Sequence, residues 1–482
     1  MTSHSTQSPA QIRASLKHPI VDGDGHWMET PAVLAEYLCD VAGPAITDKY
    51  LASQKEDLRW YQASDAERMQ KRYRRQNWWS FPSTTLDSAT FRLPKLLHER
   101  LPEMGIDFSV VYPTLGLFLE GLADTEVRLA ACRAYNTMVA DLFKPYADRL
   151  APVAIVPRLT PGEAVAEATH AVRKLGLKAI MVSGTMRRPG AKGVPYVEAL
   201  GLDNQDDYDP MWQACMDLKV AVTSHAGSIT WPDRVSVTNY TYNHIGHFAQ
   251  GNHTFAKAVF LGGVVRRFPK LNFGFLEGGA GWARSLYCDL LGHYEKRNLK
   301  SANQHLRPTN TDLPEMARLI DTYATGRLKE LRTQMKEAVS GKDGNRLRDE
   351  TERERDHMDD FAACGVKSKR ELREEFSKNF YFGCEADDPM TMTAFEPRLG
   401  KPLKALFSSD IAHWDVPDVL DVVPEVYEML EHGLLDEKAF RDFVFGNVVR
   451  LHGGMNPNFF DGTVVQEQAR TELAGAASAL AA

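Results

Sequence analysis

Cysteine is scarce in this chain. The six present (Cys39, Cys132, Cys215, Cys288, Cys364, Cys384) never form a Cys-x-x-Cys pair. That argues against a disulfide framework and a cysteine zinc site, and fits a reducing cytoplasm. Long apolar runs are missing too: none reaches bilayer-spanning length, and the opening MTSHSTQSPAQIRASLKHP has no apolar centre of the kind a secretory signal needs. Positive charge is not in excess. A net charge of -7 gives no general reason to expect a nucleic acid partner. No internal repeat of fixed period occurs, and only the tail TELAGAASALAA is low in complexity. What remains is an ordinary soluble composition, 43% hydrophobic and 25% charged. At 482 residues the chain exceeds one ordinary core, unless the fold is a large α/β barrel with insertions.

Eight short apolar runs alternate with longer helical patterns. They are HPIVDGDGH, DFSVVYP, LAPVAIVP, LKAIMVSG, LKVAVTSH, LNFGFLEGG, NFYFGCE and LKALFSSD. Continuous apolar strands belong to a parallel sheet buried on both faces. Stretches such as TEVRLAACRAYNTMVADLFKPY carry apolar residues at helical spacing. Eight such strand–helix units predict a (β/α)8 TIM barrel over residues 18–460, with a disordered arm at 1–17 and a tail at 461–482. Long insertions are expected after the first, fifth and sixth strands: an aromatic and basic lid at 40–94, a segment near Thr230 to Gln250, and a charged helical excursion at 301–378.

Catalytic groups of such a barrel stand at the C-terminal strand ends. The first strand supplies Asp22, Asp24 and His26, two apart, so alternation predicts that all three face the barrel mouth. The fifth ends in His225, the sixth in Glu277, the seventh in Glu385 and the eighth in Asp410. A lone histidine at a strand end is more often hydrogen-bonded structure than a ligand. The conjunction is different, because burying so many anions without compensation is very costly and a cation resolves it.

DGDGH on the first strand, SHAG on the fifth, FLEGGAGW on the sixth and SSD-x-x-H-x-D on the eighth resemble the amidohydrolase superfamily. More narrowly, they resemble the amidohydrolase-2 group that includes aminocarboxymuconate-semialdehyde-type decarboxylases. MGIDFSVVYPT and GNVVRLHG resemble that group's second strand and closing helix. The resemblance implies that Asp24 and His26 take the places of a His-x-His metal pair, His225 that of the fifth-strand ligand, and Asp410 that of the eighth-strand aspartate. Two positions depart from the pattern: Asp24 and Glu277 stand where histidines are expected. Anionic ligands favour iron or manganese over a zinc–water site and leave room for a second cation.

In NHIGHF, His244 and His247 are three apart, which puts them on one helical face. With His244 the ligand set becomes Asp24, His26, His225, His244, Glu277 and Asp410, and Asp22 orients them or holds a second ion. This composition resembles a branch of these barrels that activates O2 at a nonheme diiron centre, often on CoA-linked substrates. The expectation is therefore a monooxygenase with two Fe ions, O2 and an external electron donor. The alternative is a mononuclear Zn or Mn hydrolase or non-oxidative decarboxylase, with Asp410, His413 and Glu385 handling protons. Trp78 and Trp79, with Trp60, Tyr61 and Phe81, either cover a bulky substrate or anchor the lid. Arg72 and Arg75, in the run from Arg68 to Arg75, and Arg187 beside Arg188 are candidates for an anionic group, and His247 for the substrate. A homo-oligomer without nucleic acid or membrane partners is expected. The dinuclear reading predicts near two irons per chain on metal analysis after anaerobic purification, and loss of metal in His244→Ala; one zinc or manganese contradicts it.

Overall fold

The computed structural model describes residues 7–54, 59–75, 84–225, 236–307, 310–340 and 359–481. Trp78, Trp79 and Phe81 lie outside them, as do parts of the expected insertions. The chain divides into two compact units, Met1–Leu286 with Glu375–Ala482, and Tyr287–Glu374.

The first unit is the barrel. Its strands are β1 (Val21–His26), β2 (Phe108–Tyr112), β3 (Leu150–Ile155), β4 (Ala179–Val182), β7 (Val222–Ser224), β8 (Phe273–Phe275), β9 (Phe380–Cys384) and β10 (Lys404–Phe407). They form one sheet in that order, parallel at every pairing. An antiparallel hairpin, β5 (Thr185–Arg188) with β6 (Tyr196–Ala199), is inserted after β4. Most strand residues are buried, as the unbroken Val, Ile, Phe and Leu runs require. The helices outside present the complementary stripe. Thr125–Phe143 buries Val127, Ala131, Cys132, Tyr135, Met138 and Val139, and Asp124 caps it by accepting from the amides of Glu126 and Val127. The eight predicted strands thus match the eight observed.

The seam between β1 and β10 is closed just beyond the last strand. Asp410 N donates to Asp24 O at 3.2 Å, and His26 N donates to Ile411 O at 3.2 Å. Gly23 permits the close approach: a Cβ there would stand 2.7 Å from Leu406 Cδ1 and 3.2 Å from Phe407 O. β1 is also not a regular strand. Its register with β2 shifts between Asp22 and Gly25, so the alternation expected to aim Asp22, Asp24 and His26 alike is interrupted.

The N-terminal end of the chain departs from expectation. Pro9–Ser15, in the arm expected to be disordered, is a helix with a Ser8/Gln11 capping box and a buried Ile12. Its Arg13 pairs with Asp107. Gln466–Ala481 is a docked helix in which Glu472 pairs with Arg441 and Arg450 and Ala469 is buried.

In the second unit, the expected long helical run breaks at Gly326 (φ 52°) into Leu313–Tyr323, Arg327–Glu330 and Arg332–Ser340. Its charges form exposed pairs such as Arg318–Glu315 and Lys336–Asp321, both at 2.7 Å, as expected of a solvated face. Among the described residues no helix is long and apolar enough to cross a membrane.

The crowded seam predicts that Gly23→Ala destabilises the barrel by about 1–3 kcal/mol through overpacking, read as a shift of the denaturant midpoint at unchanged slope.

Candidate metal centre

Asp24 and His26 leave β1 at the mouth, His225 follows β7, Glu277 follows β8 and Asp410 follows β10. All are buried. His26 Nδ1 lies 2.8 Å from the carbonyl of Pro113. A carbonyl only accepts, so Nδ1 carries the proton and the Nε2 lone pair points into the cluster. That Nε2 is 3.1 Å from His225 Nε2, 3.6 Å from Asp24 Oδ1 and 3.6 Å from Asp410 Oδ1. His225 Nε2 is in turn 3.0 Å from Glu277 Oε2 and 3.9 Å from Asp24 Oδ1. His413 adds Nδ1 at 2.5 Å from Asp410 Oδ1 and 3.6 Å from Glu277 Oε1.

These donors fit a metal ion. Two ligand atoms on one ion at about 2.1 Å stand roughly 3.0 Å apart at a right angle and about 3.4 Å apart at the tetrahedral angle, close to the separations found. Asp24 Oδ1, Glu277 Oε2 and both Asp410 oxygens are buried without a hydrogen-bond donor, where buried oxygens are normally satisfied. Burial pushes the carboxyls of Asp24, Glu277 and Asp410 well above the usual carboxylate range, and neighbouring carboxylates push them further. No lysine or arginine is among the described groups acting on them. Burial also holds His26 and His413 well below the ordinary imidazole value, and His225 at about 3. Glu277 (φ 52°), Asp410 (φ 51°) and Ala412 (φ 84°) sit in the left-handed region, strain of about 1–3 kcal/mol each that clusters at functional sites.

Two overlapping groups of ligand atoms emerge, Asp24–His26–His225 and His26–Asp410–His413. They share His26, which has only Nε2 to offer, and one ring nitrogen binds one ion. The two groups therefore cannot each hold an ion of their own through His26. Asp22 is not in either group. It accepts from Ser109 Oγ (2.7 Å), Ser409 N (3.0 Å), Ser409 Oγ (2.8 Å) and Asp24 N (3.1 Å). It fixes the seam beneath the ligands, and Ser408 does the same for Asp24 Oδ2 at 2.7 Å.

His244 is also outside both groups. The helical face expected to unite it with His247 does not exist, because the chain turns at Gly246 (φ 69°) between the helices Tyr240–His244 and His247–Leu261. His244 stacks on Tyr240 (5.7 Å between centroids) and meets Trp414 edge-on (5.3 Å). His247 is buried at the start of its helix. Glu385 stands after β9, its carboxyl raised to about 8 by burial and by Asp415, Asp387 and Asp388.

Most of the basic run serves to anchor the lid. Arg68 and Arg75 lie 3.9 and 4.6 Å over the Trp60 ring, Lys71 pairs with Glu67, and Arg74 donates to Asn243 O. Arg72 (φ 53°) ends its helix beside Met69, Val237 and Tyr242. Arg187 is exposed on β5, and Arg188 pairs with Glu198 and Asp206. Nothing in these contacts forms a phosphate cradle, so the CoA expectation gains no support. The residues missed from sequence are Ser109, Ser408, Ser409 and Thr114. A serine inside the apolar run DFSVVYP was the available signal for Ser109.

Because burial raises all three carboxyls well above their usual range, loading a divalent ion such as Mn(II) at pH 7 should release protons. The imidazoles are already neutral there and release none. The dissociation constant should therefore fall as pH rises. Calorimetry in two buffers of different ionisation enthalpy checks this, and zero release contradicts it.

Comparison with known proteins agrees with the geometry. Residues 99–328 match the amidohydrolase family model; that stretch holds His225 and Glu277, while Asp24, His26 and Asp410 lie outside it. No curated protein matches the sequence. Among solved structures, an amidohydrolase of Mycobacterium avium subsp. paratuberculosis K-10 is 17% identical at a TM-score of 0.53, covering 91% of this chain and 100% of its own. A 2,6-dihydroxybenzoate decarboxylase complexed with 2,6-dihydroxybenzoate is 14% identical at 0.50, covering 91% and 99%. A dihydroxybenzoic acid decarboxylase of Polaromonas sp. JS666, with bound manganese and the inhibitor 2-nitroresorcinol, is 14% identical at 0.50, covering 90% and 97%. Neither the family model nor these structures support the two-iron oxygenase expectation, which the single shared His26 nitrogen also disfavours. The matched stretch thus resembles the amidohydrolase family, and the eight-stranded barrel is the fold that the chain has in common with these structures.

Proposed function

We propose that this protein is a mononuclear metal-dependent enzyme that cleaves a small carboxylated molecule without O2, as a non-oxidative decarboxylase, with hydrolysis as the neighbouring form of the same chemistry. The observation that carries the reading is the convergence of Asp24 Oδ1, His26 Nε2, His225 Nε2 and Asp410 Oδ1 on one buried point, with no lysine or arginine among the described residues paired to these carboxyls. Manganese in the Polaromonas decarboxylase is consistent with it, as is the mixed carboxylate and imidazole donor set. A divalent ion bound there supplies Lewis acidity to a substrate oxygen and neutralises the ligand carboxylates.

The chain's own groups do the rest. His413 stands beside Asp410, its Nδ1 2.5 Å from Oδ1, and the two are the groups placed to handle the proton. In decarboxylation the carbon–carboxylate bond breaks, CO2 leaves with the electron pair remaining on carbon, and this pair delivers the proton to that carbon. Thr114 Oγ1, 3.3 Å from His413 Nε2, orients the ring. Trp414, next to His413 in the chain, makes an aromatic wall with Tyr240 and His244, suited to a flat, partly apolar substrate. The enclosure favours loss of CO2 over attack by water, since the cluster side chains are 2% exposed or less.

Protein reconstituted anaerobically should hold one Mn(II) per chain and release CO2 from a dihydroxybenzoate panel with no O2 uptake. Asp410→Asn and His413→Gln should each lower turnover by about 10²–10⁴-fold. Two irons per chain together with O2 consumption matching product would overturn the proposal.

A further inference from the structure

Glu29 lies three residues beyond His26 and is 1% exposed. Among the described residues no lysine, arginine or histidine pairs with it. Its partners are backbone amides of the turn after β2. Oε1 accepts from Thr114 N (3.2 Å) and Gly116 N (3.0 Å), and Oε2 accepts from Leu115 N (2.8 Å) and again from Thr114 N (3.3 Å). Successive amides turned toward one anion form a nest, which holds a carboxylate without a cation. Gly116 makes the approach possible: a Cβ there would come within 2.9 Å of Glu29 Oε1 and 2.8 Å of Pro113 Cβ.

The turn that Glu29 grips contacts both imidazoles on this side of the cluster. Pro113 O receives the Nδ1 proton of His26 at 2.8 Å, and Thr114 Oγ1 meets His413 Nε2 at 3.3 Å. Fixing one turn therefore sets the tautomer and ring plane of His26 and the ring orientation of His413 together. Glu29 touches neither ring.

We infer that Glu29 is a positioning residue: through the Pro113–Gly116 turn it presents the His26 Nε2 lone pair to the metal centre and orients His413. This rests on the reading of the cluster as a metal site. Groups that orient a ligand histidine typically change metal affinity 10–100-fold when removed.

The test uses the full-length protein in two measurements. The first is the Mn(II) dissociation constant. The second is the hydrogen-bonded Nδ1–H resonance of His26 in ¹⁵N-histidine-labelled, metal-free protein, assigned by its loss in His26→Gln. Glu29→Ala should weaken Mn(II) binding by about 10–100-fold and abolish or broaden the resonance. Glu29→Gln, which folds more readily but sets an NH2 against an amide, should do the same to a smaller extent, and Gly116→Ala should reproduce it. Glu167→Gln is the control for a merely structural carboxylate: Glu167 is equally buried but bonds Arg133 and Asn136 on the outer helices. It should lower the melting temperature and change neither readout. Glu29 variants that leave either the affinity within about twofold or the resonance intact overturn the inference. If the wild-type protein binds no Mn(II), the metal reading fails and the resonance alone decides: its survival in Glu29→Ala overturns the inference, and its loss supports it.

Discussion

Everything at the mouth of this barrel follows from the free energy of burying Asp24, Glu277 and Asp410 together. Unpaired carboxylates in a dry pocket are either protonated or matched by a cation. The chain supplies no lysine or arginine to these three groups among the described residues. It supplies instead imidazoles kept neutral by the same burial, which are donors of electron pairs and not of charge. Burial thus tunes both ligand types toward a metal ion, and the left-handed backbone at Glu277 and Asp410 shows that the surrounding structure holds them there against local preference.

Around that constraint the seam residues form a second tier. Asp22 saturates its oxygens with Ser109, Ser409 and the amide of Asp24, so it is a buried carboxyl satisfied entirely by neutral donors. Glu29 is another, held by amides of the β2 turn. Both carboxyls stiffen the frame around the candidate ligands, and only Asp22 was singled out in the sequence.

The barrel was legible in the sequence because its signals are local. Each strand is a short apolar run ending in a polar or glycine residue, and those ends placed Asp24, His26, His225, Glu277 and Asp410 at one pole. What was not legible depended on backbone turns or on distant partners. Spacing put His244 and His247 on one face, but the left-handed Gly246 divides their helices. Alternation aimed Asp22 at the mouth, but the register shift near Gly25 tucked it into the seam. The helical pattern after Leu313 gave no warning that Gly326 would break it. The basic run resembled an anion site in isolation; only the fold shows Trp60 beneath Arg68 and Arg75. The expectation of two metal ions gained no support for the same reason, since ligand identity reveals charge but not which nitrogens are shared.

The closure of the barrel has a consequence for the order in which the protein is made. Ser408 bonds to Asp24 across 384 residues of chain, and the amide of Asp410 seals the seam against Asp24. The two halves of the candidate ligand set come from the first and the last strands of the barrel. A nascent chain still lacking the last barrel strand holds Asp24 and His26 without Asp410, so an ion there would gain full coordination only after that strand has emerged. Metal uptake in such a design acts as a seal on a finished fold, because a chain stalled or truncated before its last strand has no complete site to fill.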